Sequence, residues 1–173
     1  MLEHMTSSQT TADAIAQAQS RFKTRLVAVT AQIHNRPLNS ALGEWLNAHL
    51  GTDTTTYREL KQSCEEGVAQ GWLCKYEGGG LRYGRIFKPA EDLHGFSVDV
   101  VDMKDVAGPH HVHPEGEIDL IMPLTAGALF DGHPAGWCVY GPGSAHAPTV
   151  TAGRALVLYL LPQGAIQFTQ SAG

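Results

Sequence analysis

Apolar residues early in the chain recur at steps of three and four: Ile15, Ala18, Phe22, Leu26, Val29 and Ile33. That spacing gathers them on one face and predicts an amphipathic helix over about residues 11–34, ended by Pro37. Leu38, Leu42, Trp45, Leu46 and Leu50 predict a second helix over 38–50 that stops at Gly51. A third is predicted to open at Thr56-x-x-Glu59, a capping box whose side chains satisfy free first-turn N–H groups, and to run to about Gly71.

Near residue 77 the pattern changes. Apolar runs shorten to strand length and are punctuated by Gly, Pro and Asp. The predicted strands are 81–87, 95–103, 117–124, 136–140, 155–161 and 165–168. Short strands at this spacing imply a sandwich or barrel. The expected division is a helical region over 6–74 and a β-barrel domain over 75–173, with "KYEGGG" (75–80) as the hinge.

Composition narrows the function. Of 173 residues 43% are hydrophobic and 17% charged, which is globular rather than disordered. The formal charge of −5 argues against nucleic acid or an anionic membrane as partner. The helices over 38–50 and 56–70 carry Glu44, Glu59, Glu65 and Glu66 and little Lys or Arg, so they do not read as a DNA-binding pair; a barrel cap or a dimer contact fits better. "GGGLRYG" lacks the spacing of a nucleotide loop. Cys64, Cys74 and Cys138 form no disulfide framework and have no basic or histidine neighbour in sequence, so none is nominated as a nucleophile. Reduced thiols, the lack of a membrane-length apolar run and an opening "MLEHM" unlike a signal peptide imply a cytoplasmic protein, with Met5 the expected natural start.

The densest chemistry lies in "GPHHVHPEGEIDL" (108–120). On a strand His111 and His113 project to the same side, a spacing that lets two imidazoles share one cation. Pro114-Glu115-Gly116 has turn chemistry and brings Glu117 back beside them as a new strand opens. Two imidazoles and a carboxylate on one face leave metal positions open for substrate. Downstream, "YGPGSAH" returns His146 as a fourth candidate. His110 alternates away, and His94 and His133 read as loop residues.

His111-x-His113-x-x-x-Glu117 followed by Pro142-Gly143-Ser144-x-His146 resembles the two metal-binding motifs of the cupin superfamily. The resemblance implies a small antiparallel jelly-roll barrel with those three histidines and the glutamate on a divalent metal. The chain departs from that pattern at Leu124, Pro142-Gly143 and Val150. A longer stretch is similar to the 4-hydroxylaminobenzoate lyase family: "GFSVDVVDM", "HHVHPEGEIDLIMPL", "GWCVYGPGSAHAPTV" and "ALVLYLLPQGAIQF", within roughly residues 75–168. That resemblance implies conversion of 4-hydroxylaminobenzoate to protocatechuate with release of ammonia. The mixed nitrogen and oxygen donor set fits Fe, Mn, Ni, Co or Zn. Alternatives on the same fold are a non-heme iron dioxygenase acting on an aromatic ring and a barrel that binds a small ligand without turnover.

Other residues take candidate roles around that centre. Asp119 shares the face of Glu117 and is costly in an apolar strand unless paired or used. It is either a proton shuttle or the partner of an arginine such as Arg85. Tyr159 is the second candidate for moving protons. Arg82 and Arg85 fall on opposite faces of their strand; Arg85 is the choice to grip a small aromatic carboxylate substrate. Trp137 and Tyr140 either wall an aromatic pocket or belong to the core. An apolar helical extension on a small barrel makes a homodimer the expected assembly.

Overall fold

A computed structural model describes residues 7–169; residues 1–6, Met5 among them, and 170–173 lie outside the described region. The helical periodicity becomes α1 (Ser7–Ile33), α2 (Ser40–His49) and α3 (Thr55–Gln70). The side chain of Asn39 caps α2 by accepting from the Leu42 N–H, and Thr54 caps α3 by accepting from the Tyr57 N–H. The capping box expected at Thr56 and Glu59 does not form. The cap falls two residues earlier, and Glu59 instead accepts from Arg25 of α1 at 2.7 Å. Gly71 ends α3 in a left-handed conformation that favours glycine.

The rest is antiparallel sheet: β1 (Tyr76–Gly78), β2 (Leu81–Phe87), β3 (Phe96–Ala107), β4 (His111–His113), β5 (Glu117–Pro123), β6 (Leu129–Phe130), β7 (Gly136–Tyr140), β8 (Ser144–His146), β9 (Thr149–Pro162) and β10 (Gln167–Phe168). The larger sheet runs β1-β2-β3-β9-β5-β7, with β6 on the other end of β9. The smaller runs β10-β4-β8. The architecture is mainly β with an N-terminal helical region, as expected. β1, β6 and β8 are additional short strands, and β3 and β9 extend beyond the predicted 95–103 and 155–161.

Strand alternation sorts the large sheet into two cores. Val98 and Val100 on β3, Leu156, Leu158 and Leu160 on β9, and Ile118, Leu120 and Met122 on β5 face the helices, joining Phe22, Leu26, Leu46 and Leu60. Val101, Met103, Ile121, Val157 and Leu161 face the other way, into a second cluster with Phe130 and Val150. Covered on both faces, β5 and residues 155–161 of β9 are almost continuously buried rather than alternating. The helices therefore cover the outer face of the large sheet. Among the described residues no helix is long and apolar enough to cross a membrane.

Candidate metal centre

β4 and β8 pair antiparallel so that His111 lies directly across from His146, and His113 across from Ser144. The turn after β4 is closed by the Gly116 N–H donating to the His113 carbonyl at 3.1 Å. Gly116 has φ +92°, and a Cβ there would stand 2.7 Å from Leu38 and 2.8 Å from the Tyr140 carbonyl, so only glycine fits. This turn delivers Glu117 at the start of β5, in the facing sheet. The four side chains converge: one ligand atom from each of His111, His113, Glu117 and His146 lies within 4.8 Å of all the others.

The polar atoms at the centre are suited to a cation. The Nε2 atoms of the three histidines and both Glu117 oxygens are buried and make no hydrogen bond. They lie 3.2 to 3.6 Å from the carboxylate, within ion-pair range only. Each outer nitrogen, by contrast, is held: His111 Nδ1 by the Pro109 carbonyl at 3.2 Å, His113 Nδ1 by Ser144 Oγ at 3.0 Å, His146 Nδ1 by Asp131 Oδ2 at 2.5 Å. Holding Nδ1 fixes the ring and turns the Nε2 lone pair inward, as metal-ligating histidines require. Buried polar atoms left unpaired in this way are costly unless an ion gathers them. The donor set fits a divalent metal.

Burial acts to raise the carboxyl of Glu117, but His111, His113 and His146 outweigh it and hold the group well below the usual range. Burial also disfavours charge on His146; Asp131 and Glu117 together overcome that and push its imidazole up to about 9. A metal must therefore displace a proton from His146 at neutral pH, so affinity is expected to fall as pH falls below about 9, by up to ~tenfold per unit. Titrating metal in buffers of different ionisation enthalpy near neutrality should show proton release; buffer-independent heats would refute it.

Asp131, in the turn after β6, is the residue that sequence reasoning missed. It takes His146, the Tyr140 hydroxyl at 2.6 Å and the Thr149 N–H at 2.9 Å. Its turn setting, "DGHPAG", disguised it as an ordinary loop aspartate. Asp131→Ala should weaken metal affinity by ~10–100-fold with the four ligands intact. Competition against a chelator measures this, and an unchanged constant would make Asp131 a bystander.

A cavity of about 840 Å³ opens beside the centre, with His111 in its wall together with Leu81, Arg85, Asp99, Val101, Met103, Tyr159 and Phe168. Arg85 reaches it as expected. Its partner is Asp99, directly across on β3, which it holds at 2.9 and 3.2 Å, so the alternative pairing of Asp119 with Arg85 is corrected. Asp119 lies on β5, beyond both β3 and β9, with Tyr159 and Cys138 as its cross-strand neighbours. Burial, then the charge of Glu117, pushes its carboxyl well up, favouring the protonated acid. Burial likewise raises the Tyr159 phenol.

Trp137 does not line the cavity, a correction to its place as a pocket wall. It shares the helix-facing side of β7 with Val139, and its Nε1 donates to the Leu50 carbonyl at 2.8 Å. Tyr140 faces inward but is bound to Asp131, with its ring 4.5 Å from that of His146; it supports the centre rather than the cavity wall. Burial pushes the Cys74 thiol up to about 12 and raises Cys64 further, consistent with inert cysteines. His110 is exposed and contacts Thr169 Oγ1 at 2.6 Å.

Comparison with known proteins supplies the identification. The family model described as PnbB, 4-hydroxylaminobenzoate lyase, matches residues 24–168. The chain belongs to the 4-hydroxylaminobenzoate lyase family. A 4-hydroxylaminobenzoate lyase from Nocardioides sp. (strain LMS-CY) is 35% identical over 147 residues, covering 79% of this chain and 86% of the relative. One from Pseudomonas putida is 31% identical over 155 residues, covering 80% and 88%. Among solved structures, an RmlC-like cupin protein from Ralstonia eutropha JMP134 aligns over 54% of this lyase-family chain and 62% of its own, at 13% identity and a TM-score of 0.41.

Proposed function

We propose that the chain is a metal-dependent lyase that converts 4-hydroxylaminobenzoate, or a related arylhydroxylamine, to protocatechuate. One water is consumed and one ammonia released. The observation that carries the reading is the buried cluster of His111, His113, Glu117 and His146, opening through His111 onto a cavity large enough for an aromatic acid, in a member of this family. A divalent metal held by these four residues would supply Lewis acidity toward the oxygen of the hydroxylamino group or of water.

The chain's own residues do the rest. Leu81, Val101 and Met103 flank the aromatic ring and exclude water from it. Arg85 receives the carboxylate at the cavity wall. Tyr159, in the cavity wall, donates protons to the departing oxygen and nitrogen and recovers them from the incoming water, with Asp119, its fully buried cross-strand neighbour, held as the neutral acid behind it. The sequence consumes no electrons overall, so it needs no redox cofactor.

The test is an anaerobic assay on 4-hydroxylaminobenzoate combined with elemental analysis of the protein. Ammonia and protocatechuate should appear in equal amounts without oxygen. A strict requirement for oxygen would replace the lyase with a ring dioxygenase.

A further inference from the structure

Arg85 is the only lysine or arginine among the described residues lining the cavity, and it is already engaged. Asp99 accepts from its Nε at 2.9 Å and its Nη2 at 3.2 Å, and the Gly164 carbonyl accepts from Nη2 at 3.3 Å. Nη1 makes no hydrogen bond with the described residues and lies close to Gly164. An aryl carboxylate received by Arg85 shares the guanidinium with a second carboxylate already on it. Two acids on one cation, beside a largely apolar cavity, repel; the arrangement in which one carries a proton is favoured. Asp99 is the acid placed to take it, because burial already pushes its carboxyl up against the opposing pull of Arg85.

We propose that Asp99 is an exchangeable counter-ion and positioning residue: an aryl carboxylate binds Arg85 together with one proton, taken from solvent onto Asp99. This rests on the reading of the cavity as the site of an aromatic acid. It makes the site select for an anionic ring substituent while keeping Arg85 paired, and aimed, when the cavity is empty. The titratable groups around Asp99 are Arg85 on β2, Tyr159 on β9, Glu117 and Asp119 on β5, and His111 on β4 across the cavity. A variant changed at Asp99 alone retains all of these residues.

Benzoate is the probe, titrated calorimetrically into the metal-loaded protein in buffers of different ionisation enthalpy. Wild type should take up close to one proton per benzoate. Its Kd should rise with pH across the range in which Asp99 takes up that proton, by up to ~tenfold per unit. Asp99→Asn should bind benzoate without proton uptake or pH trend, and more tightly than wild type at the alkaline end. Benzamide, which brings no charge, should show no linkage in either protein. Were Asp99 only a brace for Arg85, Asp99→Asn would bind more weakly at every pH with proton uptake unchanged, and the proposal would fall. It also falls if benzamide shows the same pH trend or if wild type does not bind benzoate. The lyase assay separates the two readings. Proton-linked benzoate binding without ammonia release removes the lyase and leaves the counter-ion; ammonia release with proton-free benzoate binding does the reverse.

Discussion

His113→Ala is expected to purify without metal and to release no ammonia from 4-hydroxylaminobenzoate, while the protein stays folded. His113 is fully buried, its Nδ1 is held by Ser144 and its Nε2 lies 3.2 Å from Glu117. Removing the ring takes away one of four donors and also loosens the Ser144 contact that orders the turn before β8. The loss in metal affinity should exceed the ~10–100-fold cost of deleting a supporting partner such as Asp131. His113→Gln, which keeps volume and a polar head, separates a folding defect from a missing ligand. It should melt near wild type and still lack metal. Full metal content with full activity in either variant would remove the centre from the mechanism.

The second large effect concerns the helices. Phe22→Ala should cost ~3–5 kcal/mol, the range for deleting a buried aromatic ring. For a chain of this size that lowers Tm by ~6–20 °C. Phe22 is inaccessible to solvent and its ring lies 5.9 Å from both Trp72 and Phe87, so it joins α1 to the end of α3 and to β2. The melt should remain a single transition because helices and sheet share one core. A biphasic melt in which the sheet transition does not move would show instead that the helical region is a separate unit.

The sequence was most legible where local chemistry and tertiary structure agree. The apolar face from Ala18 to Ile33 is buried as its spacing requires, and 81–87 and 136–140 are strands over the predicted residues. The four metal candidates were legible because His-x-His, a Pro-Gly turn and Glu117 sit close together, and the Pro-Gly-Ser-x-His tail marks the return. What was hidden depends on pairings between strands. Nothing local to "FSVDVV" says that Asp99 will face Arg85, since that follows from the β2–β3 register. Trp137 and Tyr140 read alike until the helices are seen to cover one face of β7. Thr54, Thr55 and Thr56 offer three adjacent caps, and the helix took the first.

The ligands do not all come from one layer. His111, His113 and His146 stand on the short strands of the smaller sheet, while Glu117 opens β5 in the larger one. An ion gripped by all four is therefore a clasp between the layers, fastening strands of only three residues to a wall that the helices already brace. Stripping it should slacken the β10-β4-β8 flap first, and with it the side of the binding chamber that carries Phe168.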